Sequence, residues 1–206
     1  MNGNMIAQIL SVNRLRFGTD GNGIRTLVGF IGCPLRCKYC INPMSWNGTL
    51  KGKSLTPIEL YNKIKVDSIY FLASGGGVTF GGGEPLLHAE FIKEFIEIAP
   101  KEWSFNIETS LSVPFEHIEL VSSKIDLFIV DIKSMDKDIY NSYTGSYLDL
   151  ALDNLKKLLW AVGSEKIMVR VPIIECYADE KSQESSVKLL TEMGITKIDT
   201  FEYIIK

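Results

Sequence analysis

The chain has 206 residues, 46% of them hydrophobic and 23% charged, which suits one soluble globular unit with a sizeable core. A net charge of −3 gives no reason to expect a nucleic-acid partner, and no apolar run approaches the roughly 20 residues of a membrane span. The opening residues lack the charged and apolar regions of a secretion signal, and four cysteines with three clustered make a poor disulfide framework; the reducing cytoplasm is the expected compartment.

In chain order, the first readable segment is Asp20-Gly21-Asn22-Gly23-Ile24-Arg25-Thr26, built of turn-forming residues. Its charged Asp20 and Arg25 either serve the turn or face a substrate. A strand is expected at Ile24–Ile31, then a cysteine loop, then a helix at Pro57–Lys65 opened by Thr56-Pro57. Further strands are expected at Gly77–Phe80, Ser104–Glu108, Leu127–Ile132, Ile167–Ile173 and Lys197–Ile204. Amphipathic helices separate them at Leu87–Ile98, Pro114–Ser122, Leu148–Val162 and Lys181–Met193, the last closed by Gly194. Such alternation predicts an α/β fold with parallel strands and right-handed crossovers. Six units are fewer than the eight of a full barrel, leaving a partial barrel or an open doubly wound sheet. Either architecture gathers its ligands at the carboxyl ends of the strands.

The motifs fall at those ends. Cys33, Cys37 and Cys40 follow the first strand, within Gly32-Cys33-Pro34-Leu35-Arg36-Cys37-Lys38-Tyr39-Cys40. A structural zinc site or a complete cubane cluster takes four protein ligands. Three thiolates on one loop instead hold three irons of a [4Fe–4S] cluster and leave the fourth open. The alternative is a zinc knuckle completed by Cys176 or His88, neither of which belongs to a paired Cys/His motif. Cys176 reads as a buried or half-buried free thiol, and His88 and His117 as structural or solvent-exposed side chains. Gly81-Gly82-Gly83-Glu84-Pro85 follows the second strand, where glycines let backbone approach a ligand closely. No Lys-Ser/Thr follows, so this is not a phosphate loop, and no Gly-x-Ser-x-Gly elbow supports a hydrolase. Glu108-Thr109-Ser110 ends the third strand, Asp131-Ile132-Lys133 the fourth, and Arg170 lies toward the end of the fifth. Asp131 and Lys133 share a face, and Arg170 needs a partner if buried. Five such signals at one end of five successive strands argue for one shared site.

The Cys-x3-Cys-x2-Cys spacing, the aromatic before the third cysteine and the later Gly-Gly-Glu-Pro resemble the radical S-adenosylmethionine (SAM) superfamily. Phe17 through Thr26, Gly32 through Pro43 with Trp46, Ser74 through Pro85, Glu108-Thr109-Ser110, Asp131-Ile132-Lys133 and Val169-Arg170-Val171-Pro172 resemble its glycyl-radical-enzyme activating branch, of the pyruvate formate-lyase type. The resemblance implies a single radical SAM domain over residues 1–206, shaped as a partial (β/α)6 barrel. It implies a [4Fe–4S] cluster on Cys33, Cys37 and Cys40, with SAM chelating the open iron. Gly82, Gly83 and Glu84 would hold the methionine amino group, Tyr39 and Ile41 would lie by the adenine, and Asp131, Lys133 and Arg170 would contact the rest of the cofactor. Glu108 and Thr109 match a place near a monovalent cation, and Asp20 one near a bound glycine-loop peptide. Reductive cleavage would give methionine and a 5′-deoxyadenosyl radical that takes hydrogen from a glycine of the partner enzyme, with a flavodoxin or ferredoxin-type protein as electron donor. Ile41 stands where the branch often has His, and the Tyr-His segment of longer members has no counterpart within residue 206, so that contact is not carried over. Other readings open to the same motifs are an anaerobic ribonucleotide reductase activator, a small-molecule radical enzyme and a non-catalytic metal-binding module.

Overall fold

The computed structural model describes residues 5–203. Its elements are β1 (Ala7–Arg16), β2 (Arg25–Phe30), β3 (Lys53–Leu55), α1 (Pro57–Ile64), α2 (Ser68–Ser74), β4 (Gly77–Gly82), α3 (Ala89–Ile98), β5 (Ser104–Thr109), α4 (Phe115–Ser122), β6 (Leu127–Asp131), α5 (Lys137–Thr144), α6 (Leu148–Val162), β7 (Ile167–Ile173), α7 (Glu180–Glu192) and β8 (Lys197–Glu202). They form one sheet in the order β3-β1-β2-β4-β5-β6-β7-β8. β2, β4, β5, β6, β7 and β8 pair in parallel, while β1 runs antiparallel to both β2 and β3. The six expected parallel strands are therefore present, and the sheet stays open between β3 and β8, as a partial barrel does. The expected end of the last strand at Ile204 lies outside the described residues.

Alternation along each strand divides the sheet into two chemically different faces. Phe80, Ile107, Val130 and Val169 point outward and are fully buried with Ile92 and Phe95 of α3, Ile118 of α4 and Leu155 of α6. Removing such a ring, as in Phe80→Ala, costs about 3–5 kcal/mol because the close-packed layer collapses only partly. The concave face carries Thr79, Asn106, Glu108, Asp131 and Arg170 instead, with Asp131 paired in register with Arg170. A polar interior of this kind is shaped to receive something.

The segment between β1 and β2 folds across that concave face near its amino end. The Asp20 carbonyl accepts hydrogen bonds from Thr79 Oγ1 at 2.8 Å and Asn106 Nδ2 at 3.0 Å. Arg25 does not face a substrate. It is 1% exposed and donates to Thr79 Oγ1, the Val78 and Ser104 carbonyls and the Asn22 carbonyl. Its guanidinium ties the turn to β4 and β5, and burial lowers its pKa to about 10.

Four elements lie outside the sequence expectation: β1, β3, α2 and α5. Ser11 and Asn13 on β1 line the polar interior, so the strand lacks apolar alternation. The α5 sequence is polar, and its start is set by Asp136, whose carboxylate accepts from the backbone N–H groups of Asp138 and Ile139.

Candidate active site

The cysteine loop is held from both sides by backbone hydrogen bonds. On one side the Glu84 N–H donates to the Gly32 carbonyl at 2.7 Å and the Gly83 N–H to the Phe30 carbonyl at 3.0 Å. On the other, the Arg36 N–H donates to the Thr144 carbonyl at 2.7 Å and the Lys38 N–H to the Tyr143 carbonyl at 3.1 Å, docking the loop on the end of α5. The glycine turn can lie this close only without side chains. A Cβ on Gly82, whose φ is +94°, would sit 2.6 Å from Gly29 Cα, and one on Gly83 would sit 2.1 Å from the Gly32 oxygen. Asn42 adds a further tie, its Nδ2 donating to the Gly82 carbonyl at 3.2 Å.

These elements surround a cavity of about 610 Å³, within the size range of small-molecule sites. Cys33, Cys37, Cys40, Ile41, Gly82, Gly83, Glu84, Glu108, Thr109, Asp131, Lys133, Arg170 and Asp20 all line it. Tyr39 does not. Its ring turns into a satellite cluster, edge-on to Tyr143 at 6.0 Å and Tyr177 at 5.8 Å.

The charged wall is mutually neutralised. Arg170 donates Nε and a terminal nitrogen to the two Asp131 oxygens at 2.8 and 3.1 Å and faces Glu108 at 3.3 Å. Lys133 lies 3.5 Å from Asp131. Burial alone would raise the Asp131 pKa, but Lys133 and Arg170 outweigh it and hold the carboxyl below its ordinary value. Glu108 moves the other way, because burial exceeds the help it receives from Arg170. Asp20, 3% exposed, is gripped by Arg16 and Thr19, which overcome the effect of burial and hold its pKa down.

Glu84 has a different part. It is 1% exposed, and its oxygens accept from Thr109 Oγ1, the Ser110 N–H and hydroxyl, and the Leu86 N–H. The carboxylate thus joins the glycine turn to the end of β5, and burial raises its pKa. The Thr109 hydroxyl is committed to this contact. Burial also raises the Cys33 thiol to about 12 and the Cys37 thiol to about 11, the latter against the pull of Lys133. Thiols so placed become thiolates only beside a cationic centre.

Residues 27–169 match the radical SAM superfamily. The chain belongs to that superfamily. Pyruvate formate-lyase-activating enzyme of Clostridium pasteurianum is 38% identical over 162 residues, 79% of this chain and 67% of that enzyme. The (2S)-3-sulfopropanediol dehydratase activating enzyme of Klebsiella oxytoca is 30% identical, covering 90% of this chain and 77% of its own. The 4-hydroxyphenylacetate decarboxylase activating enzyme of Clostridioides difficile is also 30% identical, over 82% of this chain and 72% of its own. Among solved structures, SuiB of Streptococcus suis bound to the precursor peptide SuiA overlays with a TM-score of 0.67 at 14% identity. That overlay covers 86% of this chain but 38% of SuiB, and shows the shared fold.

A radical SAM enzyme carries a [4Fe–4S] cluster and SAM, and the residues present fit both. Three free cysteines line one cavity, beside cationic and anionic side chains that complement a ligand bearing an ammonium and a carboxylate. The zinc alternative lacks a fourth ligand in either remote candidate. Cys176 is exposed rather than buried or half-buried, standing at the surface in the tight turn closed by Ile174 and Ala178. His88 donates Nε2 to the Ile31 carbonyl at 2.7 Å and stacks on Phe30, and His117 donates Nδ1 to the Leu86 carbonyl at 2.9 Å. Both histidines flank a separate hollow beside α3 and α4. Among the described residues no three His, Cys, Asp or Glu gather to hold a single ion, and no helix is long and apolar enough to cross a membrane.

Sequence reasoning left several contributors without a role. Arg16 grips Asp20, Ser110 completes the Glu84 contacts, and Tyr143 and Tyr203 line the cavity from α5 and from the end of β8. Arg16 lies only four residues before Asp20, but no helical or strand period spans that turn to signal the pair; the two tyrosines meet the site from distant parts of the chain.

Proposed function

We propose that this radical SAM enzyme activates a glycyl radical enzyme, within one domain spanning residues 1–206 and in the cytoplasm. The observation that carries the reading is the three-cysteine loop opening on a cavity whose wall is an internally paired set of charges. The relatives named above, activating enzymes from three organisms, support the same reading. The chemistry supplied by the bound cluster and SAM is reductive cleavage of the latter to methionine and a 5′-deoxyadenosyl radical, which abstracts hydrogen from a glycine of the partner.

The chain's own residues bind, orient and exclude. Cys33, Cys37 and Cys40 would hold the cluster, and SAM would bind beside it in the same cavity. Gly82 and Gly83 bring backbone to the amino group, while Glu84 fixes the Thr109-Ser110 turn behind it. Lys133 and Arg170 meet the carboxylate and ribose side, with Asp131 keeping both cations aimed inward. Ile41, 74% exposed at the cavity, would cover the adenine, while the Tyr39 ring packs away from the cavity against Tyr143 and Tyr177. Glu108 is the carboxylate available to a monovalent cation, in exchange with Arg170. Asp20, held rigid by Arg16, forms the wall nearest the incoming glycine loop. A flavodoxin or ferredoxin-type protein supplies the electron.

The test is anaerobic reconstitution with reductant, SAM and candidate partner enzymes. Formation of 5′-deoxyadenosine together with a glycyl EPR doublet on the partner is expected. Cleavage of SAM without a glycyl signal on any partner, the ribonucleotide reductase included, would point to a small-molecule radical enzyme instead. A reconstituted protein that makes no 5′-deoxyadenosine at all would sink the reading.

A further inference from the structure

The turn from Cys37 to Cys40 carries two of the three cluster ligands and is weakly held from within. Its internal hydrogen bond, from the Cys40 N–H to the Cys37 carbonyl, is long at 3.3 Å. The Lys38 N–H reaches outward to the Tyr143 carbonyl. The Tyr39 carbonyl, which lies between the two ligands in sequence, accepts from the Tyr203 hydroxyl at 2.7 Å. Tyr203 is 164 residues away, just beyond β8, and its backbone is anchored by an N–H donated to the Ile173 carbonyl at 2.8 Å. The Lys133 ammonium lies over the same ring at 5.8 Å from its centre. One side chain just past the last strand thus touches both the ligand-bearing turn and a cation of the cofactor wall, and it lines the cavity between them.

We propose that Tyr203 is a positioning residue for the cofactor site, fixing the Cys37–Cys40 turn and Lys133 relative to each other. It holds the turn through the phenol–carbonyl bond and Lys133 through the ring face. The last strand is therefore more than a sheet edge: it sets the angle at which two thiols meet the cavity. The cofactor part rests on the radical SAM reading above, whereas the hydrogen bond to the turn stands without it.

Tyr203→Phe removes the hydroxyl and keeps the ring. Tyr177→Phe is the control, since it lies in the same aromatic patch and its hydroxyl makes no hydrogen bond to the turn among the described residues. In the 206-residue chain before reconstitution, Tyr203→Phe should speed amide exchange over residues 38–41 about three- to tenfold, the scale of one lost hydrogen bond, with melting lowered by no more than about 2–4 °C. After reconstitution, iron and sulfide content should match wild type. The SAM-induced change in the EPR signal of the reduced cluster should then need about three- to tenfold more SAM. Wild-type exchange and wild-type titration in Tyr203→Phe would overturn the proposal, as would equal shifts in Tyr177→Phe. A wild-type protein whose EPR signal ignores SAM overturns the radical SAM reading and the cofactor half of the proposal, while the exchange comparison still decides the turn.

Discussion

Arg25 and Arg170 both sit on the concave side of the sheet, yet at opposite ends of it they have opposite surroundings. Arg25, at the amino end and 1% exposed, is met by hydroxyl and carbonyl oxygens. Burial without a contacting carboxylate pulls its pKa down to about 10. Arg170, at the carboxyl end, has two carboxylates in contact, Asp131 and Glu108, and these overcome burial and raise its pKa further. The first arrangement closes off space and holds a turn in place. The second leaves charged groups on a cavity wall that a zwitterionic ligand can engage by exchanging partners. Placement along the strand, rather than residue type, separates scaffold from site.

Five changes would break or sharpen that contrast. Cys37→Ala should have the largest effect, removing the cluster and all turnover while the cluster-free chain still folds, as read by iron analysis and circular dichroism. Arg25→Met should lower stability by about 3 kcal/mol or more, because several buried acceptors lose their donor at about 1–3 kcal/mol each. Denaturant unfolding of the cluster-free chain checks this, and a loss below 1 kcal/mol would contradict the scaffold role.

Arg170→Gln should cost less stability, about 1–3 kcal/mol, since Asp131 keeps Lys133 and the cavity admits water. It should nevertheless weaken SAM binding at least about tenfold, as expected for losing a charge-assisted contact. Lys133→Ala should also weaken SAM binding while iron is retained; loss of iron would show that the end of β6 serves the cluster instead.

The smallest effect is one of pH. Asp131 is held below its ordinary value, so its contribution to stability is complete above the unfolded carboxylate pKa of about 4 and fades as pH falls through the lower folded value. The difference in unfolding midpoint between wild type and Asp131→Asn should therefore be constant near neutrality and shrink in acid. A gap that widens on acidification contradicts the pairing.

Much of this was legible in the chain. The β-branched run Ile167–Ile173 appears as β7 with the same bounds, and Leu148–Val162 appears as α6, because each buries a continuous apolar surface that periodicity reports. The elements that escaped notice are those whose partners are polar or remote. β1 faces the cavity with Ser11 and Asn13, and α5 depends on the Asp136 cap more than on an apolar stripe. The opposite fates of Arg25, beside a polar turn, and Arg170, inside an apolar strand, were not legible in the chain, since only the neighbouring strands supply carboxylates to one of them.

The order of residues by itself determined the parallel strand–helix repeat, the three-thiol loop and the clustering of polar signals at strand ends. Local period and local ligand spacing encode these, and they survive without knowledge of contacts. Tertiary structure alone decided that Glu84 serves as a strut, that the Tyr39 ring turns away from the cavity, and that Tyr203 reaches across to the cysteine turn. Each depends on a hydrogen bond or packing contact between segments far apart in the chain, and such geometry exists only once the sheet has curved and brought them together.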